Sequence, residues 1–270
     1  MTDPHKRAQI DRLLNVMERL RDPETGCPWD IAQTSQSIAQ YTIEEAYEVV
    51  DAIEQGDVEE LKSELGDLLL QVVFHAQMSK EKGQFSFDDV AAAISEKMEE
   101  RHPHIFGDLT DISAEDVRIN WEALKEKERR ANAQSGTLDG VAMALPALVR
   151  AYKLQKRASR VGFDWNDPQK VMRKIQEECA ELTEAKESLS HDAIEDEFGD
   201  ILFAVVNLGR HLGVEAENAL KRTNAKFTHR FEYIEAQLSA QGVAIQDASL
   251  DQMEALWQAA KSISDKNNRD

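Results

Sequence analysis

Residues 44–48 read EEAYE and residues 177–181 read EECAE, while ELGD at 64–67 returns as EFGD at 197–200. Both returns are offset by 133 positions. One offset shared by two separated motifs means that the chain is two copies of one module, so whatever fold the first half adopts the second adopts too. Further out, KMEER at 97–101 parallels KFTHR at 226–230, and Trp29 and Trp121 parallel Trp165 and Trp257 with small changes in loop length.

Each copy reads as helix. Apolar residues recur at three- and four-residue spacing through most segments, and the 12 glycines and 6 prolines leave few places to interrupt them. The periodicity predicts helices over 5–21, 38–55, 57–82, 87–101, 114–133, 145–160, 168–189, 192–212, 215–240 and 248–262, and no strand. The fold class is therefore all-α: two tandem helical bundles with no sheet. The small, polar stretch ANAQSGTLDGVAMALP at 131–146 reads as the connection, giving domains 1–131 and 146–270 joined by a linker at 132–145.

The repeated motifs carry the chemistry. On a helix, residues three and four apart share a face, so Glu178 with Glu181, or Glu177 with Glu181, can converge, and Glu197 with Asp200 can do so on the next helix. If those helices pack antiparallel, four carboxylates meet, and they repel one another unless protons or a hard cation neutralise them. Oxygen-only donors select Mg2+, with Mn2+ as a substitute, over zinc or copper. Di-iron bundles use Glu-x-x-His where both halves here have Glu-x-x-Asp, which argues against iron. A merely solvated face would pair its glutamates with basic residues four positions away, and none stands at that spacing around Glu44, Glu45, Glu48, Glu64 and Asp67. Gly66 and Gly199, inside the second motif, invite a structural reason, either close approach of another helix or a simple irregularity. The segment HPH at 102–104 reads as a turn.

Composition excludes several functions. Acidic residues outnumber basic ones 51 to 32, for a net charge of -19, and no basic run offsets them, so a nucleic-acid polymer or an anionic membrane is not the expected partner. A single nucleotide remains compatible, because a divalent ion bridges carboxylates to phosphates. Cys27 and Cys179 form no CxxC or disulfide framework, MTDPHKRAQIDRLL lacks a signal-peptide core, and the apolar runs are too short to span a bilayer. The expected location is the cytoplasm.

The pattern EExxE, 15 intervening residues, then ExxD, together with RLRDPETGCPWD (19–30), ERHPHIFGD (100–108) and VGFDW (161–165), closely resembles the MazG family over essentially the whole chain. The resemblance implies an all-α NTP pyrophosphatase, related to dimeric dUTPases and phosphoribosyl-ATP pyrophosphohydrolases. It implies Mg2+-dependent hydrolysis of standard and non-standard NTPs and dNTPs to monophosphate and pyrophosphate, in a cytoplasmic homodimer with a house-cleaning or nucleotide-pool role. Matched position by position, Glu178, Glu181, Glu197 and Asp200 correspond to metal ligands in the second half, and Glu45, Glu48, Glu64 and Asp67 in the first. Glu177 and Glu44 correspond to groups behind the ligands, Lys226 and Arg230 to phosphate contacts, and Trp257 to a position near the nucleotide.

The copies differ where this chemistry would be felt. Lys174 stands at the position of Tyr41, and Asn207 at that of Phe74. A lysine one turn before the acids can hold phosphate charge, and an asparagine can serve a base or sugar, so the second half is expected to catalyse and the first to bind metal, stabilise or regulate. Lys174, Glu177 and Glu178 are the candidate catalytic residues, with either glutamate open as general base. Lys174, Asn207, Lys226, Arg230 and Trp257 are the candidate nucleotide contacts. The rival reading is a metal-stabilised, catalytically silent scaffold for nucleotides or a protein partner.

Overall fold

The computed structural model describes residues 4–107, 136–165, 167–188 and 190–267. The chain divides into two compact units, Met1–Glu126 and Lys127–Asp270, and no strand occurs among the described residues. The first unit holds α1 (Pro4–Leu20), α2 (Pro28–Ala32), α3 (Ser35–Gln55), α4 (Val58–Glu81), α5 (Phe87–Arg101) and α6 (Pro103–Phe106). The second holds α7 (Ala147–Arg160), α8 (Pro168–Ser188), α9 (His191–His211), α10 (Ala216–Ala240), a 3-10 turn (Ile245–Asp247) and α11 (Leu250–Asn267). The helix expected at 114–133, with Trp121, lies outside the described residues, as do the proposed boundary at 131 and the first part of the linker.

Local chemistry sets the boundaries. The helix expected from 38 starts at Ser35, because Thr34 and Ser37 form a reciprocal capping box that satisfies backbone donors a full turn earlier. It ends at Gly56, whose φ of 72° is the left-handed conformation glycine adopts without steric penalty. Asp57 follows at once as the cap of α4, its carboxylate accepting from the amides of Glu59 and Glu60 at 3.0 Å each. A stop signal beside a start signal folds α3 and α4 into an antiparallel hairpin. Ser190 caps α9 in the same way, its hydroxyl accepting from the amide of Ala193. The turn expected at 102–104 is instead the start of α6: Pro103 sits in its first turn, where its missing N–H is no loss, and the His102 ring donates from Nδ1 to the Met98 carbonyl at 2.6 Å.

Met17, Ile38, Val73, Phe74 and Met78 make the first core, with Leu13, Leu14, Tyr41, Leu70 and Phe87 packed around it. Each such side chain contributes about 1.5–3 kcal/mol when withdrawn from water. Arg21 ties the end of α1 to α4 through Glu81 at 2.7 Å, and its guanidinium lies over the Phe74 ring. In the second unit α8 packs along α9, and Val171, Ala204, Val206, Ile234 and Leu238 are buried. The α7 residue Gln155 enters that interior and donates to the Phe203 carbonyl at 2.8 Å.

Neither glycine of the second motif marks a close helix approach among the described residues. A Cβ built on Gly66 or Gly199 meets nothing within 4 Å among the described residues.

Candidate active site

Hairpin geometry explains the spacing of the acidic motifs. Glu48 and Glu64 each stand 8 residues from Gly56, and Glu45 and Asp67 each stand 11 from it. Residues equidistant from an antiparallel turn lie level with one another, so the motifs form two rungs across the α3–α4 groove. In the second half Glu181 with Glu197, and Glu178 with Asp200, are symmetric about position 189 in the same manner.

The side chains close each groove into a cluster. Glu45, Glu48 and Glu64 each place one carboxylate oxygen within 4.8 Å of the others, and Glu178, Glu197 and Asp200 do likewise. Glu181 adjoins the second cluster through a hydrogen bond with Glu178, and Asp67 acts on Glu45 through its charge. Of the two pairings open on α8, it is Glu178 that faces the groove: it is buried, whereas Glu177 is exposed. Glu44 is exposed as well.

The clusters are neutralised differently. In the second, Lys174 Nζ lies 2.7 Å from Glu177 Oε1 and 2.7 Å from Glu178 Oε1, and these bonds hold the ammonium well above its ordinary pKa. Glu181 is raised, first by desolvation and then by its contact with Glu178. In the first cluster Tyr41 replaces the lysine and supplies no charge. Glu45 is raised by desolvation and then by the charges of Asp67 and Glu48, and Glu64 by desolvation and then by Glu48 and Glu60. Three hard oxygen donors gathered in each groove, with Glu45, Glu64 and Glu181 holding their protons more tightly than usual, fit a small divalent ion, which would displace those protons.

A cavity of about 270 Å3 opens beside the second cluster, lined by Lys174, Glu178, Asp200 and Asn207 with Trp165 and Phe203. Asn207 is buried, and its side-chain oxygen accepts from Arg210 Nη2 at 2.9 Å, which leaves its NH2 as the group to offer a ligand. Arg210 also binds Asp164, which is lowered by Arg210 and His211 against an opposing desolvation. Lys226, Arg230 and Trp257 do not line this cavity. Arg230 and Trp257 instead pair across α10 and α11, the guanidinium lying 5.4 Å from the Trp257 ring centroid, and Phe227 packs against both that ring and Phe231. Trp165 and Phe203 line the cavity beyond the residues the motifs single out, and the pairing of Trp29 with Trp165 in the repeat is the sequence signal for the first of them.

Residues 33–106 and 166–234 each match the MazG nucleotide pyrophosphohydrolase domain. The chain belongs to the MazG family. The two matched segments enclose both acidic clusters, Lys174, Asn207, Lys226 and Arg230, and stop short of Trp257. Among MazG relatives, the nucleoside triphosphate pyrophosphohydrolase of Escherichia coli K12 is 51% identical over 94% of this chain and 97% of its own. The nucleoside triphosphate pyrophosphohydrolase/pyrophosphatase MazG of Thermotoga maritima is 42% identical over 93% of this chain and 95% of its own. A MazG chain is an enzyme, and this one carries the family's domain twice.

Proposed function

We propose that the second half hydrolyses nucleoside triphosphates, ribo- and deoxyribo-, with standard or non-standard bases, to the monophosphate and pyrophosphate in the presence of Mg2+. The observation that carries this is the convergence of Glu178, Glu197 and Asp200 beside Lys174 at the mouth of a cavity large enough for part of a nucleotide. The relatives named for the same reaction support it.

Glu178, Glu197 and Asp200, with Glu181 adjoining, would hold the ion. Bound there, Mg2+ supplies Lewis acidity toward a phosphoryl oxygen and a lowered pKa for water. The protein's own contribution is charge and position. Lys174 offsets carboxylate charge that would otherwise repel a polyphosphate, and it presents an ammonium to the developing negative charge. Glu177, exposed and hydrogen-bonded to Lys174, is open to solvent and free to take a proton from an attacking water, whereas Glu178 is committed to the cluster. The NH2 of Asn207, oriented by Arg210, donates to a base or sugar, and Trp165 and Phe203 supply apolar surface beside it.

The homodimer belongs to the same proposal. Leu65, Leu69 and Val72 on α4 are exposed, and their counterparts at the same offset on α9, Phe198, Leu202 and Val205, are exposed too. A duplicated apolar stripe of this kind calls for a covering surface, which a second copy would provide. No helix among the described residues is long and apolar enough to cross a membrane, which accords with the proposed cytoplasmic location.

Incubating the full chain with a panel of NTPs and dNTPs, with and without Mg2+, tests the proposal when products are separated by chromatography. Asp200→Asn should abolish turnover with the fold retained by circular dichroism, and Asp67→Asn should leave it largely intact. Release of orthophosphate, or loss of activity in Asp67→Asn alone, would reject the assignment.

A further inference from the structure

The first half contains a cavity of its own, about 360 Å3, at the equivalent place in the repeat. Trp29, Ile38 and Glu45 line it where Trp165, Val171 and Glu178 line the other. Four replacements change its chemistry: Tyr41 for Lys174, Phe74 for Asn207, Gln71 for Ala204 and Leu70 for Phe203. The cation is lost, the amide of Asn207 gives way to one at Gln71, and the lining aromatics rise from Trp165 and Phe203 to Trp29, Tyr41 and Phe74. No lysine or arginine lines the cavity, and the nearby Arg21 is committed to Glu81 and to the carbonyl of Asp30. Its charged members Glu45 and Asp30 are carboxylates, so a phosphate group is disfavoured there.

Gln71 decides what fits. It is 8% exposed, and its Oε1 has no hydrogen-bond donor among the described residues. A buried acceptor left without a partner is costly, so an unpaired one on a cavity wall marks a place for a ligand donor. Aromatic walls favour a planar ring, and the volume lies within the range of small-molecule sites, about 300–1,000 Å3.

We propose that this cavity is a second, non-catalytic site for an amino-bearing nucleoside, whose ring lies against Trp29, Tyr41 and Phe74 and whose exocyclic amino group donates to Gln71 Oε1. The ligand class rests on reading the equivalent second-half cavity as the nucleotide site. The lost lysine explains why this site takes the nucleoside rather than the triphosphate.

Isothermal titration of the full chain with adenosine tests it, carried out after the second-half site is saturated with α,β-methylene-ATP and Mg2+. Adenosine should still bind, once per chain. Gln71→Met, which keeps the volume and removes the acceptor, should weaken adenosine about tenfold and leave the triphosphate analogue unaffected. Purine riboside, which lacks the amino group, should bind the unaltered chain as weakly as adenosine binds the variant. If Gln71→Met fails to fold, Trp29→Leu decides at a residue that is 54% exposed: weaker adenosine binding upholds the site, and unchanged binding overturns it. Adenosine displaced by the analogue, or no adenosine binding at all, also overturns it. If the analogue fails to bind while adenosine binds in a Gln71-dependent manner, the triphosphatase assignment falls and this site stands.

Discussion

Lys174 is the residue at which the two halves part. Its ammonium is shared between an exposed glutamate and one that is buried, and the buried one is the member that needs a counter-charge. Removing one partner of a buried ion pair leaves the other uncompensated, which is more damaging than never having had the pair. Lys174→Met should therefore lower the melting temperature of the metal-free protein. It should also reduce kcat on NTP about a hundredfold, the scale of losing one electrostatic contact to developing charge. Unchanged turnover at saturating Mg2+ would remove Lys174 from the chemistry. The sequence showed that Lys174 sits one turn from the glutamates, but not which glutamate is buried, because Glu177 and Glu178 are adjacent on one helix and only the packing of α9 against α8 separates them. Asn207 was similarly half legible: its place was clear, while the use of its carbonyl by Arg210 depends on a neighbour three residues on and on Asp164 from another segment.

At the scale of elements, the hairpin is the working unit. Its caps, Thr34 with Ser37 and then Gly56 with Asp57, are local in sequence and fix where each helix begins and ends. Once the turn is fixed, carboxylates spaced symmetrically about it have to meet. Gly66 lies in the middle of α4 with open space among the described residues where a Cβ would go, so its flexibility is a cost without a return from any of them. Gly66→Ala should stabilise the protein by about 1 kcal/mol, seen as a rise in melting temperature. A fall instead would show that a second copy packs against that spot, beside the exposed stripe of Leu65 and Leu69.

For the whole molecule, the acidic clusters make stability depend on pH and on metal. Glu45, Glu64 and Glu181 have folded-state pKa values raised above an ordinary 4.5, so the folded chain holds protons that the unfolded chain has already released. Their contribution is fully present at acid pH and is lost as pH rises through the raised values. Asp22, Asp89, Glu81 and Asp164 are lowered, and their stabilisation is lost as pH falls below their ordinary values of 3.8 for the aspartates and 4.5 for the glutamate. His75, lowered by burial, opposes the raised carboxylates, since its stabilisation is lost as pH falls below the ordinary 6.5. The three raised carboxylates outnumber it, so the metal-free protein should gain net stability as pH drops toward about 5 and lose it below about 4. Added Mg2+ should raise the melting temperature at pH 7 and flatten the upper limb of that profile, because an ion replaces the protons. A His75→Gln protein whose metal-free melting temperature is flat between pH 7 and 5 would contradict the crowding of these carboxylates.

The sequence by itself determined the duplication, the all-helical fold, the ends of most helices and the identity of the acids, because repeat offset, 3.6-residue periodicity and capping are local properties of the chain. The tertiary structure decided which carboxylates converge, which one is buried, that no described residue presses on the motif glycines, and how equivalent cavities hold a lysine in one half and none in the other. Those outcomes depend on the exclusion of water and on side-chain contacts across helices, and each is set by residues that are distant along the chain.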